Sequence, residues 1–318
     1  MKKCNTLLLV PSRDFYYFDR IDSQFRTVAP VFRNNSKIIN TLCKFARKIK
    51  TPLTFLFYDN WYKTISTFDK IIVFDMSCAL DDKLLHNIRM AAPHAERYVY
   101  SWNIVRDDHE FLKSLNNAKI SGFSYYSYDR NDCQRFNLEF NTIMYDASLI
   151  TPTNQTRWDV LFLGFLKDRK DKMVSLQRSL LQSELNPHFV IVDKTGQHSD
   201  LPFDVRDNYV SYTEYLDMLK QSRAILDITQ HGQNGFSMRV MESIFLGKKL
   251  ISTNTALLDA DFYDPNNILV VDSEKMDISA IQQFMSTDFH PYPKEVQNYY
   301  SIDSWINRFT SSNNEESL

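Results

Sequence analysis

The feature that most constrains the fold of this chain is a series of short apolar runs, bounded by polar or turn residues and separated by stretches of helical length. Strands that alternate with helices are typical of parallel sheets built from βαβ units. The runs form two successive sets, one in each half of the chain. The predicted strands are Thr6–Val10, Lys70–Phe74, Arg97–Tyr100, Lys119–Tyr125 and Thr142–Tyr145, then Trp158–Phe162, His188–Val192, Ala224–Ile228, Lys249–Ser252 and Asn267–Val271. We therefore expect an α/β fold of two doubly wound, Rossmann-like domains.

The two sets meet in the segment SLITPTNQTR, which gathers Thr, Pro and Asn as linkers do. We place one domain over 1–150 and a second over 151–290. A C-terminal helix and polar tail over 291–318 would pack back on the N-terminal domain. No apolar run approaches the roughly 18 residues that a membrane-spanning helix needs, and the four cysteines show no metal-binding or CxxC spacing. The expectation is a cytoplasmic protein without a bound metal.

The charge is distributed unevenly, although the net charge is only −2. Residues 1–150 carry 21 Lys and Arg against 16 Asp and Glu, and no acidic residue lies between Asp22 and Asp59. Within the basic segment 26–50, Ile38, Leu42, Phe45 and Ile49 recur at helical spacing. This pattern fits a surface helix docked by its apolar stripe, or a cationic amphipathic helix that rests on anionic lipid at the inner face of the cell membrane. Because no nucleic-acid motif accompanies the charges, we expect no nucleic-acid partner.

Ligands of open α/β sheets bind at the carboxyl ends of strands, which directs attention to two loops of the second half. In the first loop, Gly164 ends a predicted strand, where the absence of a Cβ permits close approach of a ligand. Lys167 and Arg169 follow, just before a helix whose N-terminus favours anions. These residues suit a phosphate, although a plain turn with solvated cations has the same pattern.

The second loop, QHGQNGFSMRVMESIFLG, places two of the chain's six glycines between a strand and an amphipathic helix. Gly232 and Gly235 would let backbone N–H groups point at a phosphate or sugar. Ser237 suits the first turn of the helix as ligand or cap. Arg239 and Glu242 share a helix face and suit a diphosphate and a ribose diol respectively, unless they form a surface ion pair. Gly247 is predicted to end the helix in the left-handed conformation.

With QNGFSMRVMESIFLGKKLISTN, the chain resembles the C-terminal half of GT-B glycosyltransferases, particularly bacterial lipopolysaccharide and capsule biosynthesis proteins. DVLFLGFLKDRK resembles the strand and loop that open that domain, and FYDPNNILVVD resembles the segment that closes it. The resemblance covers roughly residues 157–272 well and the first half in outline. It implies two domains that face a cleft, with a nucleotide-sugar donor in the second domain and a saccharide or lipid-linked acceptor in the first.

The resemblance also implies roles for particular residues. Many retaining enzymes of this fold carry two glutamates separated by seven residues; Glu242 matches the second, which binds the nucleotide ribose, and the first falls on Asn234. Asn234 is therefore expected to hydrogen-bond the donor sugar. A general base would come from the first half, where Asp14 is the leading candidate because Arg13 and two tyrosines surround it. Asp75 and His94 are alternatives, and Trp102 is either a sugar platform or a core residue.

Together with the resemblance, which implies a role in surface polysaccharide synthesis, these observations predict a metal-independent glycosyltransferase that has no tightly bound cofactor. Asp14, Asn234 and Arg239 would act in catalysis. A nucleotide-sugar epimerase of similar fold is the alternative enzyme, and a non-catalytic nucleotide-sugar-binding scaffold is the alternative outside enzymology. Free nucleotide distinguishes the three, because only a transferase releases it in an acceptor-dependent way.

Overall fold

A computed structural model describes residues 4–11, 18–33, 37–49, 51–75, 80, 82–105, 107–149, 155–166, 170–196, 201–229, 234–272 and 275–310. The chain divides into two compact units. The first comprises Met1–Thr142 together with Ile306–Leu318, and the second comprises Ile143–Trp305. The boundary that we placed at 150–151 from the sequence lies a few residues beyond this division.

The first unit is built on a six-stranded parallel sheet of order β2-β1-β3-β4-β5-β6. Its strands are β1 Thr6–Val10, β2 Arg26–Pro30, β3 Lys70–Asp75, β4 Glu96–Ser101, β5 Ser124–Ser127 and β6 Glu139–Phe140. Its α-helices are α1 Lys37–Lys48, α2 Trp61–Thr64, α3 Asp82–Ala91, α4 His109–Ile120 and α5 Arg130–Phe136, with 3₁₀ turns at Phe18–Arg20, Pro52–Phe57 and Ile65–Thr67.

Continuous apolar strands explain why the centre of this sheet is buried on both faces. All five residues of β1 and all six residues of β3 are buried, as expected for parallel strands covered by helices on each side. The order reverses at β1, so the crossover helices are sent to opposite faces of the sheet. The buried Lys70 side chain donates to the carbonyls of Ile306 (3.1 Å) and Phe309 (2.9 Å), which ties β3 to the last described segment.

The second unit repeats this architecture with a parallel sheet of order β12-β11-β10-β7-β8-β9. Its strands are β7 Trp158–Gly164, β8 Pro187–Val192, β9 Asp204–Arg206, β10 Ser222–Asp227, β11 Lys249–Ser252 and β12 Ile268–Val270. Its helices are α6 Lys170–Gln182, α7 Tyr212–Lys220, α8 Met238–Leu246, α9 Ile278–Ser286, α10 Lys294–Tyr300 and α11 Ile302–Asn307. The last two residues of α11 belong to the first unit. The 3₁₀ turns are Ala147–Leu149 and Thr255–Asp259.

The core of the second unit lies between β7, β8, β10 and the helices that cover them. Val160, Phe162, Phe189 and Ile191 belong to one buried cluster with residues of α6 and α9. Two parallel sheets, each with its order reversed at the first strand, confirm the predicted fold class of two Rossmann-like α/β domains. No helix within the described part of the chain is long and apolar enough to span a membrane.

Two predicted strands differ from the structure, and strand β2 was not predicted. Lys119 and Ile120 are the last residues of α4 rather than the start of a strand. Thr142–Tyr145 forms only an isolated bridge between Tyr145 and Ser301. The basic segment 26–50 begins with strand β2, which was not predicted from the sequence, and Pro30 is tolerated there because β2 is an edge strand.

Candidate functional site

The second sheet reverses its order between β7 and β10, and ligands of doubly wound sheets bind at such a switch point. β7 ends at Gly164 and β10 ends at Asp227, so these residues mark the two carboxyl ends. Helix α8 follows β10 and begins at Met238. The predicted loop and helix therefore meet at the edge of the sheet where a ligand is expected.

Arg239, in the first turn of α8, bridges these two strand ends. Its guanidinium Nη2 donates to the Leu163 carbonyl of β7 at 2.6 Å, and Nη1 lies 3.5 Å from Asp227 Oδ1. The guanidinium also lies over the Phe162 ring, with 5.8 Å to its centroid. Because 28% of the side chain remains exposed, a ligand at the carboxyl edge can reach this cation.

Asp227 is the buried anion that holds this arrangement together. It is 1% exposed, and a buried carboxylate is stable only when it is paired and hydrogen-bonded. Ser252 donates to Asp227 Oδ2 at 2.9 Å, and Ser237 donates to Oδ1 at 3.1 Å. Ser237 is the N-cap residue of α8, but its hydroxyl makes no capping bond to the helix backbone. The hydroxyl instead fixes the start of α8 to the end of β10.

Gly164 is closely packed at the end of β7. A Cβ at this position would lie 3.3 Å from Phe162 Cζ, so the Phe162 ring would have to shift by a few tenths of an ångström, and it would be in ordinary contact with Arg239 Nη2 at 3.6 Å. The glycine therefore leaves room for both the Phe162 ring and the guanidinium beside the strand end. Gly247 ends α8 with φ of 63°, and its N–H donates to the Ser243 carbonyl, which confirms the predicted left-handed terminus.

The described end of the glycine loop is held by a buried amide. Asn254 is 2% exposed and donates to the carbonyls of Asn234 (3.4 Å) and Gly235 (3.3 Å). Gly235 is buried and Asn234 is exposed. The expected contact of Asn234 with a donor sugar stays a prediction. Gly232, Lys167, Arg169 and Asp14 lie outside the described residues.

Glu242 lies inside the second unit, among tyrosines. The residue is 1% exposed and accepts from Tyr212 Oη at 3.0 Å and Tyr215 Oη at 2.6 Å. The Tyr145 and Tyr212 hydroxyls are 2.8 Å apart, which extends the network by one hydroxyl. Burial raises the pKa of Glu242 above its ordinary value, against the opposing effect of the Tyr215 hydrogen bond. The carboxylate joins α7 to α8, and its expected contact with a ribose stays a prediction.

The candidates in the first unit are placed very differently from one another. Asp75 ends β3, beside the switch point of that sheet, but it is buried and accepts from Tyr125 Oη at 2.6 Å. His94 is exposed in the turn that leads into β4, at the amino edge of the sheet rather than its carboxyl edge. Trp102 is buried, with its ring 5.5 Å from Phe18 and 5.6 Å from Phe74. This geometry favours the core role for Trp102 over a sugar platform.

An exposed pair of aromatic residues lies at the carboxyl edge of the second sheet and was not predicted from the sequence. Phe165, directly after β7, and Tyr209, in the loop after β9, have centroids 5.8 Å apart at 85°. Lys194, just after β8, lies 3.5 Å from the centre of the Tyr209 ring. Phe165 is 39% exposed and Tyr209 is 68% exposed. Phe165 follows the predicted strand Trp158–Phe162, but β9, which precedes Tyr209, was not predicted from the sequence. The pair therefore emerges only from the order of β7, β8 and β9 in the sheet.

Metal ligands are not grouped in the part of the chain that the structure describes: no cluster of three or more His, Cys, Asp or Glu there has the arrangement of a metal site. What the carboxyl edge does offer is a guanidinium, a helix N-terminus and exposed aromatic rings within one unit.

The sequence matches no known protein family and no curated protein. Among solved structures, the chain is similar to an alpha-glucosyltransferase in complex with UDP and a 13-mer DNA (11% identity, 94% of this chain and 93% of that chain, TM-score 0.48). It is also similar to BGT of T4 phage in complex with UDP-glucose (12% identity, 95% and 92%, TM-score 0.44). A third is a protein from Listeria monocytogenes named as a UDP-N-acetylglucosamine 2-epimerase (9% identity, 97% and 95%, TM-score 0.48).

Proposed function

We propose that the protein is a glycosyltransferase that uses a nucleotide-sugar donor, bound at the carboxyl edge of the second sheet. The observation that carries this proposal is the position of Arg239 between the ends of β7 and β10, in the first turn of α8. A fixed cation beside a helix N-terminus is suited to a diphosphate, because both stabilise negative charge. The planar guanidinium also matches the oxygens of a phosphate in a bidentate way.

The proposed reaction places the developing charge at this position. The bond between the anomeric carbon and the diphosphate oxygen breaks, and its electron pair stays on that oxygen. The hydroxyl oxygen of the acceptor forms the new bond to the anomeric carbon and gives its proton to a base. Arg239 and the N–H groups at the start of α8 stabilise the leaving diphosphate, together with Lys167 and Arg169. Such preorganised donors act where charge develops and need no metal ion.

The exposed aromatic pair supports a place for the base of the nucleotide. Phe165 follows Gly164 directly, so its ring lies next to the strand end where the diphosphate is proposed to bind. Phe165 and Tyr209 offer exposed ring surface, and base–aromatic stacking contributes about 1–3 kcal/mol per base in single-stranded nucleic acid binding. We assign these rings to the nucleobase, and the loop of Gly232, Asn234 and Gly235 to the donor sugar.

The remaining roles follow the resemblance. Glu242 is proposed as the ribose ligand or, through Tyr212 and Tyr215, as the residue that positions α7 and α8 around the ribose. Asp14 is proposed as the base, since Asp75 is already engaged by Tyr125. The acceptor is proposed to be a saccharide or a lipid-linked saccharide of surface polysaccharide synthesis, on the cytoplasmic face of the cell membrane.

The experiment is a measurement of free nucleotide released from each of several nucleotide sugars, with and without saccharide acceptors. A transferase releases nucleoside diphosphate in proportion to a glycosylated acceptor. An epimerase converts the donor without acceptor, and a binding scaffold releases nothing while retaining affinity. Release that requires acceptor and is reduced by Arg239→Lys supports the proposal. Donor conversion without acceptor, or none with any donor that binds, would refute it.

A further inference from the structure

Helix α1 and the 3₁₀ turn that follows it expose an unusual amount of apolar side chain. Leu42 and Phe45 on α1, Ile49 directly after its last residue, and Leu53 and Leu56 in the turn Pro52–Phe57 are each between 52% and 60% exposed. We call these five residues the apolar surface. Scattered exposed leucines are ordinary, but several on consecutive elements of a chain indicate an interaction site.

The apolar surface is not the side by which these elements dock on the first unit. On α1 the buried residues are Cys43 and Ala46, whereas Leu42, Phe45 and Ile49 share the adjacent side of the helix. In the turn Pro52–Phe57, Thr54 is fully buried and Phe55 packs against the core of the unit. Of the predicted stripe, the described side chains Leu42, Phe45 and Ile49 are exposed rather than packed on the sheet.

The charge next to the apolar surface is positive. Lys44 and Lys48 on α1 are exposed, and Lys37, Arg47 and Lys50 add cations in the sequence of this region. No acidic residue occurs between Asp22 and Asp59. Two of the seven cations in that interval form hydrogen bonds to backbone carbonyls away from α1. Arg26 is buried in β2 and donates to the Ile21 carbonyl, and Arg33 donates to the Tyr58 carbonyl at 2.8 Å. The positive charge is thus concentrated on α1.

We propose that the apolar surface docks on an anionic lipid bilayer, with its five side chains inserted at the boundary between headgroups and acyl chains and Lys44 and Lys48 against the headgroups. An amphipathic helix with large apolar residues on one side and lysines beside them has the composition that binds membrane interfaces. A second copy of this chain would bring one basic helix against another, which like charges oppose. Phosphate contact alone, as with nucleic acid, would leave the apolar residues in water. The inference does not depend on the proposed glycosyl transfer.

The test is co-sedimentation of the full chain with vesicles of phosphatidylcholine alone and of phosphatidylcholine with phosphatidylglycerol, at low and high salt. We expect binding to the anionic vesicles at low salt, and a fraction that stays bound at high salt, because inserted apolar residues are not screened. Phe45→Ser with Ile49→Ser should reduce the partition coefficient at least tenfold and remove the salt-resistant fraction. Lys44→Gln with Lys48→Gln should remove the preference for anionic vesicles.

Met90→Ser with Ile120→Ser is the matched control, because both residues are exposed apolar side chains of the first unit outside the apolar surface. This variant should bind vesicles as the wild type does, and the thermal midpoint of each variant verifies that it folds. Absence of binding to anionic vesicles at low salt would overturn the proposal. The proposed insertion of the apolar side chains would be overturned if high salt abolished binding completely and the variant Phe45→Ser with Ile49→Ser bound as the wild type does. Self-association through the apolar surface without vesicle binding would identify a second copy as its partner instead.

Discussion

At the scale of single residues, Arg239→Lys separates the effect of the positive charge from the effect of the planar guanidinium group. The guanidinium satisfies the Leu163 carbonyl and faces Asp227 at the same time, which an ammonium group cannot reproduce. We expect Arg239→Lys to weaken binding of the preferred nucleoside diphosphate by about 1.5–3 kcal/mol, the range for hydrogen bonds to charged groups. Calorimetric titration measures this loss. Arg178→Lys, at an exposed position of α6, is the control; equal losses in the two variants would disprove a specific role for Arg239.

If the Tyr209 ring stacks on the nucleobase, its loss should affect only the part of the binding energy that comes from the base. Tyr209→Ala should weaken nucleoside diphosphate binding roughly tenfold, since one stacking contact is worth about 1–3 kcal/mol. Binding of inorganic pyrophosphate, which has no base, should stay unchanged. Competition titrations with both ligands provide the comparison. If pyrophosphate affinity falls as much as nucleotide affinity, the aromatic pair supports the loop rather than the base.

Glu242 gives a prediction about pH. Its pKa is raised by burial, so between the ordinary value of 4.5 and the higher folded value the folded state binds more protons than the unfolded state. The free energy of unfolding therefore falls as pH rises through this window. Glu242→Gln removes the titration, and the stability of the wild type relative to the variant should decrease as pH rises above about 4.5. Urea unfolding at a series of pH values measures the free energy of unfolding of both proteins. If the stability of the wild type relative to the variant increased with pH, the burial argument would be contradicted.

At the scale of elements, the end of α8 depends on a backbone conformation that glycine adopts easily. Gly247 has φ of 63°, and a Cβ there would only touch Phe289 Cε1 at 3.6 Å. Gly247→Ala should therefore cost about 1–2 kcal/mol through the backbone rather than through a clash. Gly247→Asn should cost less, because asparagine tolerates this conformation. Thermal unfolding of the two variants tests this; a larger loss for asparagine would point to packing against Phe289 instead.

Elements whose pattern is continuous and apolar were predictable from the sequence, and mixed ones were not. β1 and β11 have the predicted bounds, Thr6–Val10 and Lys249–Ser252, because each is an uninterrupted buried strand next to a turn signal. β2 was missed because Arg26 and Pro30 disguise a strand at the edge of the sheet. The stripe on α1 was predictable as a pattern, but its direction was not. Spacing defines a face of a helix without saying which neighbour, if any, covers it.

The same limit applies to the candidate site. Gly164, Ser237 and Arg239 were predictable because they stand at the ends of recognisable elements. Glu242 was predicted at a helical position but not among tyrosines, since Tyr212 and Tyr215 come from α7, about 30 residues away in the chain. The contact between Phe165 and Tyr209 results from the order of β7, β8 and β9 in the sheet, which the sequence pattern does not specify. Long-range order of this kind is a property of the folded chain.

At the scale of the whole molecule, the proposed function depends on binding of a nucleoside diphosphate by Arg239 at the carboxyl edge of the second sheet. A calorimetric titration of wild type and Arg239→Lys with a panel of nucleoside diphosphates and the matching monophosphates tests it most directly. We predict that at least one diphosphate binds, that it binds more tightly than its monophosphate, and that the substitution weakens the diphosphate by tenfold or more while changing the monophosphate less. Binding of no diphosphate, or equal affinities in wild type and variant, would contradict the claim.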